Sequence, residues 1–171
     1  AMVCEKGTGC GLCPHCRKAA EGIHPDIITI EGEKAGAIKV DEVRALRADA
    51  YIRPNEAARK VYILPRAQTM NPNAQNALLK LLEDGPAYAA FLLLTENAGA
   101  ILPTIRSRCV EEKLAPLTLE EVTFALHARF PDKDHAAIAQ AAGRCDGLLG
   151  PAVAELSGDE AGDLAWRRSV E

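Results

Sequence analysis

Aromatic side chains are scarce in this chain: one Trp, three Tyr and three Phe among 171 residues. Leu, Ile, Val and Ala must therefore fill any core, and a hydrophobic content of 48% supplies the material. No apolar run approaches the roughly 20 residues that span a bilayer, which argues against a membrane protein. No basic segment followed by an apolar one opens the sequence, so a signal peptide is not expected, and Ala1-Met2 reads as an expression remnant. Basic residues are not in excess either. Lys and Arg number 20 against 24 Asp and Glu, a net charge of −4, unlike a free-standing basic nucleic-acid binder. No G-x-x-x-x-G-K-[ST] phosphate loop occurs, so these residues are not expected to bind ATP. Internal repeats and low-complexity segments are also missing. A cytoplasmic location is the expectation.

Cysteine, in contrast, is concentrated. Four of the six cysteines, Cys4, Cys10, Cys13 and Cys16, are spaced C-x5-C-x2-C-x2-C, while Cys109 and Cys145 stand apart. Without an export signal, such clustering favours metal over disulfides. Four thiolates in a turn-rich loop suit a closed tetrahedral zinc site. Gly7, Gly9 and Gly11 give the backbone freedom to wrap an ion. His15 lies inside the motif and is an alternative ligand, although four thiols suffice. With no open coordination position, the expected role of the ion is structural.

After this module, residues 1–25, short apolar runs alternate with helical patterns. Ile27 to Ile30, Val61 to Leu64 and Phe91 to Thr95 read as strands, the third as a run covered on both faces of a parallel sheet. Gly32 to Gly36 breaks the first. Val40, Val43, Leu46 and Ala50 recur at helical spacing, and Asn71-Pro72 opens a second helix that Gly85-Pro86 ends. This alternation predicts an α/β fold with a parallel sheet over 26–116. Beyond Pro116 the patterns are helical only, at about 119–129, 134–145 and 151–156, starting from a Thr118-Leu119-Glu120-Glu121 capping box. Residues 117–171 thus form a small all-helical domain.

The run Asn76-Ala77-Leu78-Leu79-Lys80-Leu81-Leu82-Glu83-Asp84, the strand ending at Thr95 and then Leu102-Pro103-Thr104-Ile105-Arg106-Ser107-Arg108-Cys109 resemble clamp-loader subunits of bacterial DNA polymerase III, an AAA+ family. The cysteine module, His24-Pro25-Asp26 and Asp41-Glu42-Val43-Arg44 resemble it in the same order, from about Cys4 to about Pro116. The resemblance implies a partial AAA+ sheet flanked by helices, with the zinc module inserted and a helical lid following. It also implies a phosphate loop upstream and a collar domain downstream, so the chain reads as a fragment lacking both.

Within that family, ATPase subunits (gamma and tau) follow the second strand with an Asp-Glu pair that serves magnesium and positions water. Pro65 and Arg66 stand there instead, and an ion pair with a neighbour is the expected role of Arg66. The resemblance is therefore to the delta-prime type, which does not hydrolyse ATP. It implies assembly with gamma/tau and delta subunits, and action on the sliding clamp and primer-template DNA through the complex. By the same resemblance Arg108, flanked by Ser107 and Cys109, is an arginine finger offered to a neighbour's ATP site. Arg106 is a secondary candidate for phosphate or DNA contact. Thr95, Lys80 and Glu83 are expected to be structural or surface residues, and Cys109 to begin a strand. His127 and His135 read as isolated. Gly147 to Pro151 lacks the lid arginine of the ATPase members. The alternative functions are a gamma/tau-type ATPase and a zinc-ribbon nucleic-acid binder.

Overall fold

The computed structural model describes residues 1–32 and 37–158. The expected break at Gly32 to Gly36 therefore lies largely outside the described residues, as does the chain beyond 158. The molecule divides into two compact units, Ala1–Glu111 and Glu112–Glu171. No helix among the described residues is long and apolar enough to cross a membrane.

The first unit is built on three parallel strands in the order β1-β2-β3: β1 Ile27–Thr29, β2 Lys60–Leu64 and β3 Ala89–Leu93. A short helix α1, Pro14–Ala20, precedes β1, and α2, Val40–Ala50, and α3, Pro72–Asp84, connect the strands. The starts and stops follow from the sequence. The Glu42 carboxylate accepts the Lys39 N–H at 2.8 Å and opens α2. The Asn71 side chain accepts the Ala74 N–H at 2.9 Å, a cap worth about 1 kcal/mol. Pro86 disfavours helical backbone at Gly85 and so ends α3, and only glycine fits there, since a Cβ would meet the Leu81 carbonyl oxygen at 2.2 Å. Val43, Leu46 and Ala50 of α2 and Ala74, Leu78 and Leu81 of α3 bury one stripe each against Tyr62 and Leu64. Truncating Leu78 to Ala would cost about 2–5 kcal/mol through lost transfer energy and the cavity left behind.

Two expectations are corrected here. β3 ends at Leu93 and not at Thr95, and every residue in it is half-buried where coverage on both faces was expected. Past Leu93 the regular register lapses: the Leu94 N–H still donates to the Leu64 carbonyl at 3.0 Å, but the Leu94 carbonyl accepts from the N–H of Ala67 at 2.9 Å, where β2 has already turned. Cys109 begins no strand. Its N–H donates back to the Arg106 carbonyl at 3.2 Å, which closes a turn, while the side chain packs half-buried against the core.

In the second unit, α5 Leu119–Arg129, α6 His135–Arg144 and α7 Leu149–Ser157 enclose Val122, Leu126, Ile138, Ala141, Cys145 and Leu156. The Thr118–Glu121 capping box is formed: the Thr118 N–H donates to Glu121 at 2.8 Å and the Glu121 N–H to Thr118 Oγ1 at 3.3 Å. Gly147, at φ +78°, fits where a Cβ would meet the Leu117 carbonyl oxygen at 2.5 Å. His127 and His135 are not isolated. The last turn of α5 meets the first turn of α6, and their ring centroids lie 4.4 Å apart.

Candidate metal centre and arginine-bearing turn

The sulfur atoms of Cys4, Cys10, Cys13 and Cys16 all lie within 4.8 Å of one another. Tetrahedral zinc at about 2.3 Å from each sulfur requires sulfurs about 3.8 Å apart, so the donor set fits such an ion. The loop closes on itself because Gly7, Gly9 and Gly11 adopt φ of 69°, 72° and 71°, a region costly for any residue with a Cβ. Cys13 caps α1, its sulfur accepting the Cys16 N–H at 3.4 Å. The amide of Cys10, with those of Lys6 and Gly9, outweighs burial and lowers the Cys4 thiol to about 5. Amides of Cys16 and Glu5 lower Cys13 in the same way. At Cys16 the Gly11 amide acts downward, but burial and the neighbouring thiols prevail and raise it to about 11. None of the four is in a disulfide. Crowded sulfurs of which two favour the thiolate form have the chemistry of a cation site.

His15 is otherwise engaged. Its Nδ1 lies 3.0 Å from Nε2 of His24, and its Nε2 faces Glu5 at 3.8 Å. His24 is 3% exposed, and its Nδ1 accepts the Asp26 N–H at 3.0 Å. That assigns the His24 proton to Nε2, so His24 donates to His15. Asp26 is fully buried and accepts N–H groups from Asn55 at 2.6 Å and from Glu56 and Ala57 at 2.8 Å. Burial pushes its carboxyl up, but these three amides outweigh that and hold it below its ordinary value. Lys18 also pairs with Glu56. The cysteine module is thus bolted to the loop between α2 and β2, at the amino-terminal end of the sheet.

At the opposite, carboxyl end, Arg66 follows β2. It donates to the Glu31 carbonyl oxygen at 3.3 Å, and among the described residues no carboxylate forms the ion pair expected for it. Thr95 Oγ1 accepts the Asn97 N–H at 3.1 Å and donates to the Asn97 carbonyl at 3.0 Å, which closes a local turn.

The segment bearing Arg108 is held along α3. Gln75, 3% exposed, donates to the carbonyls of Met70 and Ala100 at 3.0 Å each and accepts the Leu102 N–H at 2.7 Å. The sequence reading passed over Gln75. Its signal was an amide beside the apolar stripe of α3, between Ala74 and Leu78. From Leu102 the chain enters α4, Pro103–Arg106, with Ile105 buried beneath it. Ser107 Oγ donates to the Thr104 carbonyl at 3.1 Å. Arg108 Nη1 donates to the same carbonyl at 2.8 Å, and Nη2 forms an ion pair with Glu83 at the end of α3. Glu83 is therefore not merely a surface residue. Arg106 pairs with Glu111 at 2.9 Å.

The fold recurs in solved structures. A DNA polymerase III gamma subunit-related protein from Thermotoga maritima matches with a TM-score of 0.54 and 25% identity, over 82% of this chain and 49% of that one. A RuvB mutant from the same organism shares the fold, with a TM-score of 0.59 and 19% identity over 78% of this chain and 45% of that one. The fold is an α/β module of the AAA+ kind. The family model described as DNA polymerase III, delta subunit, matches residues 1–118, and the chain belongs to that clamp-loader family. Its relatives include a delta-prime subunit from Pseudomonas aeruginosa, 42% identical over 115 residues, which cover 65% of this chain and 35% of that protein. They also include a tau subunit from Salmonella typhimurium, 35% identical over 126 residues, or 72% of this chain and 19% of that protein. The chain thus spans about a third or less of the length of these relatives.

Proposed function

We propose that this chain acts as a delta-prime-type clamp-loader subunit, a member that does not hydrolyse ATP and completes a neighbour's ATP site with Arg108. The observation that carries the reading is the position of Arg108 against Glu83, in the last turn of α3, the helix that leads from the carboxyl end of β2 back to the amino end of β3. In open parallel sheets, ligands bind beyond the carboxyl ends of the strands. There this chain offers Pro65 and Arg66, which neither coordinate magnesium nor activate water. Arg108 lies beside Glu83 near the far end of α3, about 12 Å along the axis from Gln75 at 1.5 Å per residue. A guanidinium there serves a partner's nucleotide better than its own. Relatives of the tau kind match as well, but an active ATPase of that kind would need carboxylates where Pro65 and Arg66 stand.

On this reading the partners are gamma/tau and delta subunits, with the sliding clamp and primer-template DNA engaged through the complex. The site of action is the cytoplasm. Zinc at Cys4, Cys10, Cys13 and Cys16 is structural, and Ser107 and Cys109 frame the finger. The test is reconstitution of the loader with full-length Arg108→Ala subunit and measurement of DNA- and clamp-stimulated ATP turnover. The expected result is loss at the one site this subunit completes, where such an arginine contributes about 10³- to 10⁵-fold in rate. Normal turnover and clamp loading with the variant would refute the finger role.

A further inference from the structure

Both terminal nitrogens of the Arg108 guanidinium are engaged within its own chain. Nη1 donates to the Thr104 carbonyl at 2.8 Å and lies 3.4 Å from Ser107 Oγ, while Nη2 faces the Glu83 carboxylate. The two charged side chains are each a little over one-third exposed, 37% for Arg108 and 39% for Glu83, so a partner's surface can reach the pair. The backbone beneath them is fixed. Gln75 on the same helix grips Ala100 and Leu102 at the other end of the segment, and buried Ile105 anchors its middle. The guanidinium, in contrast, is tethered only by exposed contacts.

We propose that Glu83 is a positioning residue that parks Arg108 and makes its release depend on the neighbour's nucleotide. This inference rests on the finger reading above and adds its regulation. A carboxylate carries one negative charge. A terminal triphosphate oxygen cluster carries more, together with several acceptors that suit a planar guanidinium. Against a neighbour holding ATP, the γ-phosphate outcompetes Glu83 and Arg108 swings across. Against a neighbour holding ADP there is no such competitor, and the arginine stays on Glu83. The parked contact therefore opposes only the ATP-bound assembly. It keeps a strongly hydrogen-bonding cation from settling on other anions meanwhile.

The experiment is a double-mutant cycle in the full-length protein, with Glu83→Gln, Arg108→Ala and the combination. Affinity for the ATPase partner is measured with a non-hydrolysable ATP analogue and with ADP. Glu83→Gln keeps the size of the side chain at a part-exposed site, and thermal melting verifies its folding. Removing the parking contact should tighten the ATP-analogue assembly about two- to fivefold, the worth of a part-exposed ion pair. The ADP assembly should not change, and the gain should vanish in the Arg108→Ala background. A Glu83→Gln variant that weakens the ATP-analogue assembly, or whose effect persists without Arg108, overturns the parking role. If Arg108→Ala alone alters neither assembly nor turnover, the finger reading has failed, and the two failures are thereby told apart.

Discussion

The carboxylate of Asp26 accepts the N–H of Asn55 at 2.6 Å across 29 residues of sequence. With the Glu56 and Ala57 amides on its other oxygen, Asp26 satisfies three backbone donors of the α2–β2 loop at once. Asp26→Asn presents an NH2 group where one oxygen accepted, leaving amides without partners. It should cost about 2–4 kcal/mol, because hydrogen bonds to a buried charge are among the stronger ones. Since folding lowers the Asp26 pKa, its contribution is complete above the unfolded value of about 3.9 and is lost as pH falls through the lower folded value. The stability gap between wild type and Asp26→Asn should be constant above about pH 5 and shrink below about pH 4. Denaturant titrations monitored by circular dichroism across this range provide the check, and a pH-independent gap would contradict it.

Carefully purified, unoxidised protein should carry about one zinc per chain. Elemental analysis is the readout, and Cys13→Ser should reduce the content sharply, since Cys13 caps α1 and would be one of the four ligands. Binding should release protons, as the Cys16 thiol, raised to about 11, must ionise to join the site. A folded cysteine loop that is stoichiometrically free of metal would count against the site.

Arg108→Lys should restore little of what Arg108→Ala removes in the assembled loader. An ammonium is a point charge and cannot reproduce a planar paired contact with phosphate. Both variants should stay within about 1 kcal/mol of wild-type stability, the worth of the part-exposed ion pair with Glu83. Full rescue by lysine would mean that charge alone matters there.

Gln75→Leu removes an acceptor from the Leu102 N–H and a donor from two carbonyls. The expected loss is about 2–4 kcal/mol, from polar groups left buried without partners. Amide exchange at Leu102 should quicken more than at core strand positions such as Tyr62. Unchanged protection at Leu102 would mean that the loop is held by other means.

The 171 residues on their own should show no magnesium-dependent binding of a fluorescent adenine nucleotide. They contain no phosphate loop, and Arg66 stands where a carboxylate would be needed. Micromolar binding would defeat this expectation.

The elements with strong local signals were legible from sequence. Asn71-Pro72, Gly85 and the Thr118–Glu121 box each act within one turn of chain, and the observed helices start and stop on them. The cysteine spacing likewise anticipated a cluster, since its geometry is set within thirteen residues. Long-range side-chain choices were not legible. Nothing local in Glu83 foretells that a turn 25 residues later will bring Arg108 to it, and the same holds for Gln75 and Leu102. The end of β3 was misjudged because it is set by where the neighbouring strand β2 turns away after Leu64, not by the apolar run itself.

The contrast between the local cysteine cluster and the distant Asp26 bracket has a consequence for biogenesis. All four sulfur donors leave the ribosome before β1 is complete, whereas Asp26 must wait about thirty residues for the amides at 55–57. Short loops close at far lower entropic cost than long ones. If the four thiols hold zinc as proposed, an emerging chain can take it up while β1, β2 and β3 are still unsynthesised. On that reading, a cell short of zinc would harm this protein first during synthesis.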